Sequence, residues 1–90
     1  MAEIIKAACA GTMESSDAYV EIEPAADGIE LNLESAVEAQ FGDSIRASAN
    51  EVLSEYGIKN AVLRIRDQGA LDCVIRARVE TAVRRGIELQ

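Results

Sequence analysis

The stretch Ala10-Gly11-Thr12-Met13-Glu14-Ser15-Ser16-Asp17 crowds glycine, hydroxyl and carboxyl side chains between two segments that alternate like strands. Serine and aspartate favour turns because their side chains bond nearby backbone groups. The octapeptide therefore reads as the turn of a hairpin, and the rest of the fold follows from it. Downstream, from Asp17 to Pro24, Ala18, Val20 and Ile22 fall on one side of a strand and Tyr19, Glu21 and Glu23 on the other. Upstream, Lys6 to Thr12 is rich in small residues and reads as the first strand.

Pro24 and Asp27-Gly28 mark the next turn. A third strand follows, with Ile29, Leu31 and Leu33 alternating against Glu30, Asn32 and Glu34. The segment from Ser35 to Phe41 fits two descriptions: Val37, Ala39 and Phe41 keep the period of two, whereas Val37 and Phe41 alone have helical i,i+4 spacing. Asp43 is a plausible N-cap for a helix whose stripe is Ile45, Ala49, Val52, Leu53 and Tyr56, and Gly57 supplies a left-handed stop.

Ala61, Leu63 and Ile65 give a fourth strand, closed by Asp67-Gln68-Gly69. A second helix is predicted from Ala70 to Arg85, with Leu71, Ile75, Val79 and Ala82 on its inner face. The order βββαβα predicts an α+β fold: a two-layer sandwich of a mostly antiparallel four-stranded sheet with both helices on one face. The 90 residues are expected to form one domain, 1–90, with a modest core of Ile, Leu, Val and Ala, since Tyr19, Phe41 and Tyr56 are its only aromatic residues.

Composition narrows the chemistry. The chain has no histidine, which removes the commonest general base and metal ligand and argues against a self-contained hydrolase or a metalloenzyme. No metal site is expected. The net charge of −7 is uneven: residues 1–45 hold Lys6 against ten carboxylates, leaving −9, whereas residues 46–90 carry +2. Such a field repels nucleic acid and anionic membrane. Arg64 and Arg66 lie on the outward face of strand four, but no aromatic residue stands beside them to stack a base.

Lys6 interrupts the only apolar stretch near the start, and no run approaches membrane-spanning length. The expected compartment is the cytoplasm, where Cys9 and Cys73 read as reduced, mostly buried thiols. In the second helix, Asp72, Arg76, Glu80 and Arg84 form an i,i+4 row that reads as a solvated face. Arg78 falls on the apolar side of that helix. Either its stem packs while its head reaches water or a carboxylate, or its guanidinium faces a phosphate or an acidic partner.

Four segments in order, AGTMESSD (10–17), EIEP (21–24), VEAQFGDSIR (37–46) and DQGALDCVIRARVE (67–80), resemble the acyl carrier (gamma) subunit of citrate lyase over nearly the whole chain. The resemblance implies that Ser15, which follows Glu14 in a Gly-Thr-x-Glu-Ser motif, carries 2′-(5″-phosphoribosyl)-3′-dephospho-CoA through a phosphodiester. Many relatives have glycine where Ser16 stands, so Ser16 is a second hydroxyl one position away. The arm's thiol would hold acetyl and citryl groups as thioesters. An alpha (transferase) subunit would exchange them, and a beta (lyase) subunit would release oxaloacetate, after a prosthetic-group transferase had installed the arm.

The chain itself would be a non-catalytic carrier, with its serine between strands rather than at a helix start as in ordinary acyl carrier proteins. Three other readings stand beside it. These are the carrier subunit of malonate decarboxylase, a non-carrier interaction module, and an RNA-binding domain reading through Arg64 and Arg66.

Overall fold

The structure, a computed structural model, describes residues 2–88. Its elements are β1 (Ala8–Gly11), β2 (Ala18–Glu23), β3 (Ile29–Ser35), α1 (Glu38–Glu55), β4 (Ala61–Asp67) and α2 (Asp72–Ile87). The order βββαβα and the α+β class are as the alternation predicts. The strands lie in the order β1-β2-β4-β3.

The β1–β2 and β2–β4 pairs are antiparallel, but β3 runs parallel to β4, so the sheet is mixed. The reason lies in the connection. A parallel return needs a crossover of a dozen or more residues, and α1 with its flanking loops provides one between Ser35 and Ala61.

Register gathers the apolar side chains on one face. Val20 pairs with Ile65 and Ile22 with Leu63, while Leu31 and Leu33 flank the same two residues from the parallel side. Ala18, Val20, Ile22, Leu63 and Ile65 are buried under Ile45, Ala49, Val52 and Leu53 of α1 and Ile75, Val79, Ala82 and Val83 of α2. Each large aliphatic side chain buried this way contributes about 1.5–3 kcal/mol of transfer free energy. Near the N-terminus, Ile5 and Lys6 donate their N–H groups to the Gly86 carbonyl at 2.9 and 3.3 Å, and Ile4 packs on the bare Cα of Gly86.

Several local expectations change. The ambiguous segment joins the helix: α1 begins at Glu38, and Asp43 lies inside it, fully exposed, rather than capping it. The Ser35 hydroxyl explains the earlier start, because it accepts the Val37 N–H (3.1 Å) while donating to Asp67 (2.8 Å), turning the chain as β3 ends. Gly42 contributes too. Its missing side chain leaves room for Glu38 and Arg46 to pair across it at 2.7 Å. At the other end Gly57, with φ +68°, stops the helix as predicted.

α2 starts at Asp72, and Leu71 stands at its N-cap, 72% exposed instead of on the inner face. Of the row Asp72, Arg76, Glu80 and Arg84, Asp72 and Arg84 are exposed and the other two half-exposed, and the first three also reach across to α1. Asp72 accepts from the Ser48 hydroxyl (2.6 Å), Arg76 bridges Glu51 (3.5 Å) and Glu55 (3.1 Å), and Glu80 accepts from the Tyr56 hydroxyl (3.0 Å).

Cys9 and Cys73 are exposed free thiols rather than buried ones. Cys9 pairs with Glu21 and so shares the phase of the open face of the sheet, while Cys73 sits in the uncovered first turn of α2. On that open face Arg64 forks onto Glu23 (3.2 and 3.3 Å) and Arg66 approaches Glu34 (3.6 Å).

Candidate functional site

Between β1 and β2 the chain leaves the sheet at Thr12 and returns at Asp17. Within this loop the Asp17 N–H donates to the Glu14 carbonyl (3.1 Å), closing a four-residue turn with Ser15 and Ser16 in the middle. Ser16 has φ +65°, the single non-glycine residue with positive φ among the described residues.

The backbone pairing explains this conformation. Ser16 N–H donates to the Gln68 carbonyl (2.8 Å) and Gln68 N–H donates to the Asp17 carbonyl (2.9 Å), so two residues of one strand face one of the other. This is a β-bulge whose first residue is left-handed, a place where glycine is usual. Its result is that Ser15 stands exposed at the tip, its hydroxyl without a hydrogen-bond partner among the described residues.

The turn's base is held by charge. Arg78, reaching from the middle of α2, donates Nε to Asp17 Oδ1 (3.0 Å) and Nη2 to Oδ2 (2.9 Å). Thr12 Oγ1 donates to the same carboxylate (2.6 Å), as does the Ala18 N–H (2.7 Å), and Thr12 Oγ1 accepts the Glu14 N–H (3.2 Å). Planar two-point recognition of this sort is what a guanidinium does and an ammonium does not. Of the two accounts of Arg78, the structure shows the first: its head reaches a carboxylate of its own chain, 61 residues away.

The Arg78 hydrogen bonds, then those of Thr12 and Ala18, hold the Asp17 carboxyl well below the ordinary value of 3.8. A carboxyl whose folded pKa is depressed contributes stability above its unfolded pKa and loses it as pH falls through the folded one. A melting series from pH 7 downward should show this contribution fading below about pH 4. In an Asp17→Asn chain that part of the acid sensitivity should be absent, with a lower melting temperature at pH 7. Parallel acid profiles for the two chains would remove the clamp from the account of the turn.

Gly11 completes the site. Its φ is +95°, and a Cβ built there would lie 1.9 Å from the Ala18 carbonyl oxygen and 3.2 Å from the Arg78 Cδ. The absence of a side chain lets the strand end and the arginine stem share this space. Sequence reasoning placed Gly11, Ser15 and Asp17 on the turn and singled out Arg78, but did not join Arg78 to Asp17. The signal was Arg78 itself, since a guanidinium on an apolar helix face needs a carboxylate to meet it.

Ser15 and Ser16 are brought together with Arg78, and Arg66 shares a hollow with Met13 of the turn and Gln68, while Arg64 and both cysteines lie on other surfaces. Among the described residues no three acidic, cysteine or histidine side chains are grouped to hold a metal ion, and no helix is long and apolar enough to cross a membrane.

The comparisons with known proteins agree on the kind of molecule. The family model described as "Malonate decarboxylase delta subunit (MdcD)" matches residues 5–86. Citrate lyase acyl carrier proteins from Clostridium perfringens and Escherichia fergusonii are 51% and 53% identical to this chain. Those alignments cover 97% and 96% of this chain and 87% and 90% of theirs. The citrate lyase acyl carrier protein of Vibrio cholerae is 52% identical, over 98% of this chain and 91% of its own length.

Among solved structures, a chain of the Pseudomonas malonate decarboxylase hetero-tetramer, crystallised with malonate, superposes with a TM-score of 0.79. It covers 91% of this chain and 84% of that one at 20% identity, a likeness of fold.

Proposed function

The chain belongs to the citrate lyase acyl carrier protein family, and on that premise we propose that Ser15 is the point of attachment of its prosthetic group. The observation that carries the assignment is geometric. Ser15 is an exposed hydroxyl, without a hydrogen-bond partner among the described residues, at the tip of a turn whose base is fastened by backbone bonds to Gln68 and by Asp17–Arg78.

A covalently attached prosthetic group follows from the acyl carrier identity. In our reading it is 2′-(5″-phosphoribosyl)-3′-dephospho-CoA, joined to Ser15 through a phosphodiester. The residues fit an anionic linkage there, since the Asp17 charge is already matched by Arg78 and only Glu14 of the turn stands without a cation among the described residues. When bound, the group supplies a thiol for acyl thioesters. The chain's own part is to present the serine in water and to hold the base of the turn still.

It contributes no acid or base, in keeping with the absence of histidine. Its partners are then the alpha and beta subunits of citrate lyase and the prosthetic-group transferase, its place the cytoplasm, and residues 1–90 act as one carrier domain. The malonate decarboxylase reading is less well supported, because its chain shares only 20% identity where the citrate lyase carriers share about half.

Intact mass and peptide mapping of the chain from its own citrate-grown source test the assignment. The expected result is an added phosphoribosyl-dephospho-CoA mass on the peptide containing Ser15, with fragment ions assigning it to that residue. A chain without added mass, in cells whose transferase is active, overturns it.

A further inference from the structure

Among the described residues five large apolar side chains are conspicuously exposed, and three of them, Met13 (50%), Phe41 (49%) and Leu71 (72%), lie at the serine end of the molecule. Ile5 and Ile29 lie apart, Ile5 beside Gly86 and Ile29 at the opposite end of β3 from Ser35. Phe41 and Leu71 face each other across a groove of about 390 Å³ between the first turns of α1 and α2, which Val37, Ala70 and Ile75 also line. The groove adjoins the turn through the backbone. Ser16 is bonded to Gln68, and the residues on either side of it, Asp67 and Gly69, line the groove.

Its charge has one sign. Asp72 is exposed at its rim and Asp67 is buried in its wall; neither has a cation partner among the described residues, their hydrogen bonds coming from Ser35, Ala70 and Ser48. Asp43, on the same first turns of α1, meets only Arg46 at 3.9 Å.

Taking the carrier reading as its basis, we propose that this groove is where the chain's catalytic partner subunit seats an apolar side chain flanked by a basic group. An apolar anchor in a pocket with opposite charge at its rim is the pattern that concentrates binding energy and sets orientation. The same charges disfavour two other occupants. A carboxylate-bearing acyl group would meet Asp72 at the rim with Asp67 behind it in the wall, and a second copy of this chain would bring an equally acidic groove to the contact. Position adds to the argument, because a partner held at Phe41 and Leu71 lies beside Ser15 and receives whatever that residue carries.

Calorimetric titration of the unmodified full chain into the purified transferase and lyase subunits tests this. The double variant Phe41→Ala/Leu71→Ala is expected to bind at least one of them about tenfold more weakly or worse. Its circular dichroism and its loading at Ser15, read by mass, should match wild type. If the double variant melts early, Leu71→Gln, at a position 72% exposed, carries the same expectation.

Affinities within about twofold of wild type for a folded variant overturn the proposal. So does a wild-type dimer that Leu71→Gln dissociates. So, too, do backbone resonances of Phe41 and Leu71 that shift on arm loading while partner affinity is unchanged by the substitutions. The two readings fail separately: an unloaded Ser15 counts against the attachment site, whereas the groove stands or falls on the affinity of the unmodified chain.

Discussion

Ser15→Ala should give a chain that folds as the wild type does and is never loaded. The serine is exposed and its hydroxyl bonds nothing among the described residues, so its removal should change stability by no more than about 0.5 kcal/mol. Incubated with the prosthetic-group transferase and the activated arm, the variant should gain no mass, and a complex assembled with it should lose carrier-dependent citrate cleavage entirely. The neighbouring hydroxyl provides the control.

Ser16→Gly should load fully and melt higher. It relieves a left-handed φ that costs an L-residue about 1–2 kcal/mol, less the extra chain entropy of glycine, for a net gain near 1 kcal/mol. The reverse pattern, with Ser15→Ala loaded and Ser16→Gly not, would move the attachment to Ser16.

Gly11→Ala should be the most damaging single substitution in the turn. The new Cβ would sit 1.9 Å from a backbone carbonyl oxygen, and the left-handed φ of +95° adds its own penalty. Neither is relieved by a rotamer change, because the obstructing atom is main chain. The end of β1 must move away from Ala18, taking Thr12 from Asp17 and disturbing the stem of Arg78.

A loss of about 3 kcal/mol or more is expected, which for a chain of this size lowers the melting temperature by roughly 15 °C. Gly28→Ala is the matched comparison. It has the same sign of φ but nothing within 4 Å of the added carbon, and should cost only about 1 kcal/mol. Equal melting of the two variants would show that conformation alone, not the contact with Ala18, makes glycine necessary at position 11.

What the sequence made legible was whatever repeats with a short period. The alternation in β2 and β4 predicts which residues are buried, and Val20, Ile22, Leu63 and Ile65 are. The stripe Ile45, Ala49, Val52 and Leu53 likewise predicts the inner face of α1. What escaped was set by partners distant in the chain. The direction of β3 depends on how α1 crosses the sheet, and the start of α1 depends on Ser35 reaching Asp67, 32 residues on.

The exposure of Leu71 and of both cysteines runs against average burial tendencies, because each sits on a surface that the two helices leave uncovered. At the turn, the motif pointed to Ser15, whereas the support of the turn came from Asp17 and Arg78, joined only in the folded chain.

The bulge at Ser16, together with the clamp beneath it, sets the geometry of delivery. A carrier whose serine rode on a floppy loop would spread the tip of its arm through the sum of two volumes, that of the loop and that of the arm. With the arm on Ser15, as proposed above, its anchor would be fastened to β4 through Gln68 and to α2 through Arg78, and the length of the arm would set most of the space it samples. The local concentration of the acyl group at an active site within reach rises as that space shrinks. On that proposal, rigidity at the base of the turn would be a kinetic property of the assembled enzyme, conferred by residues that never touch the substrate.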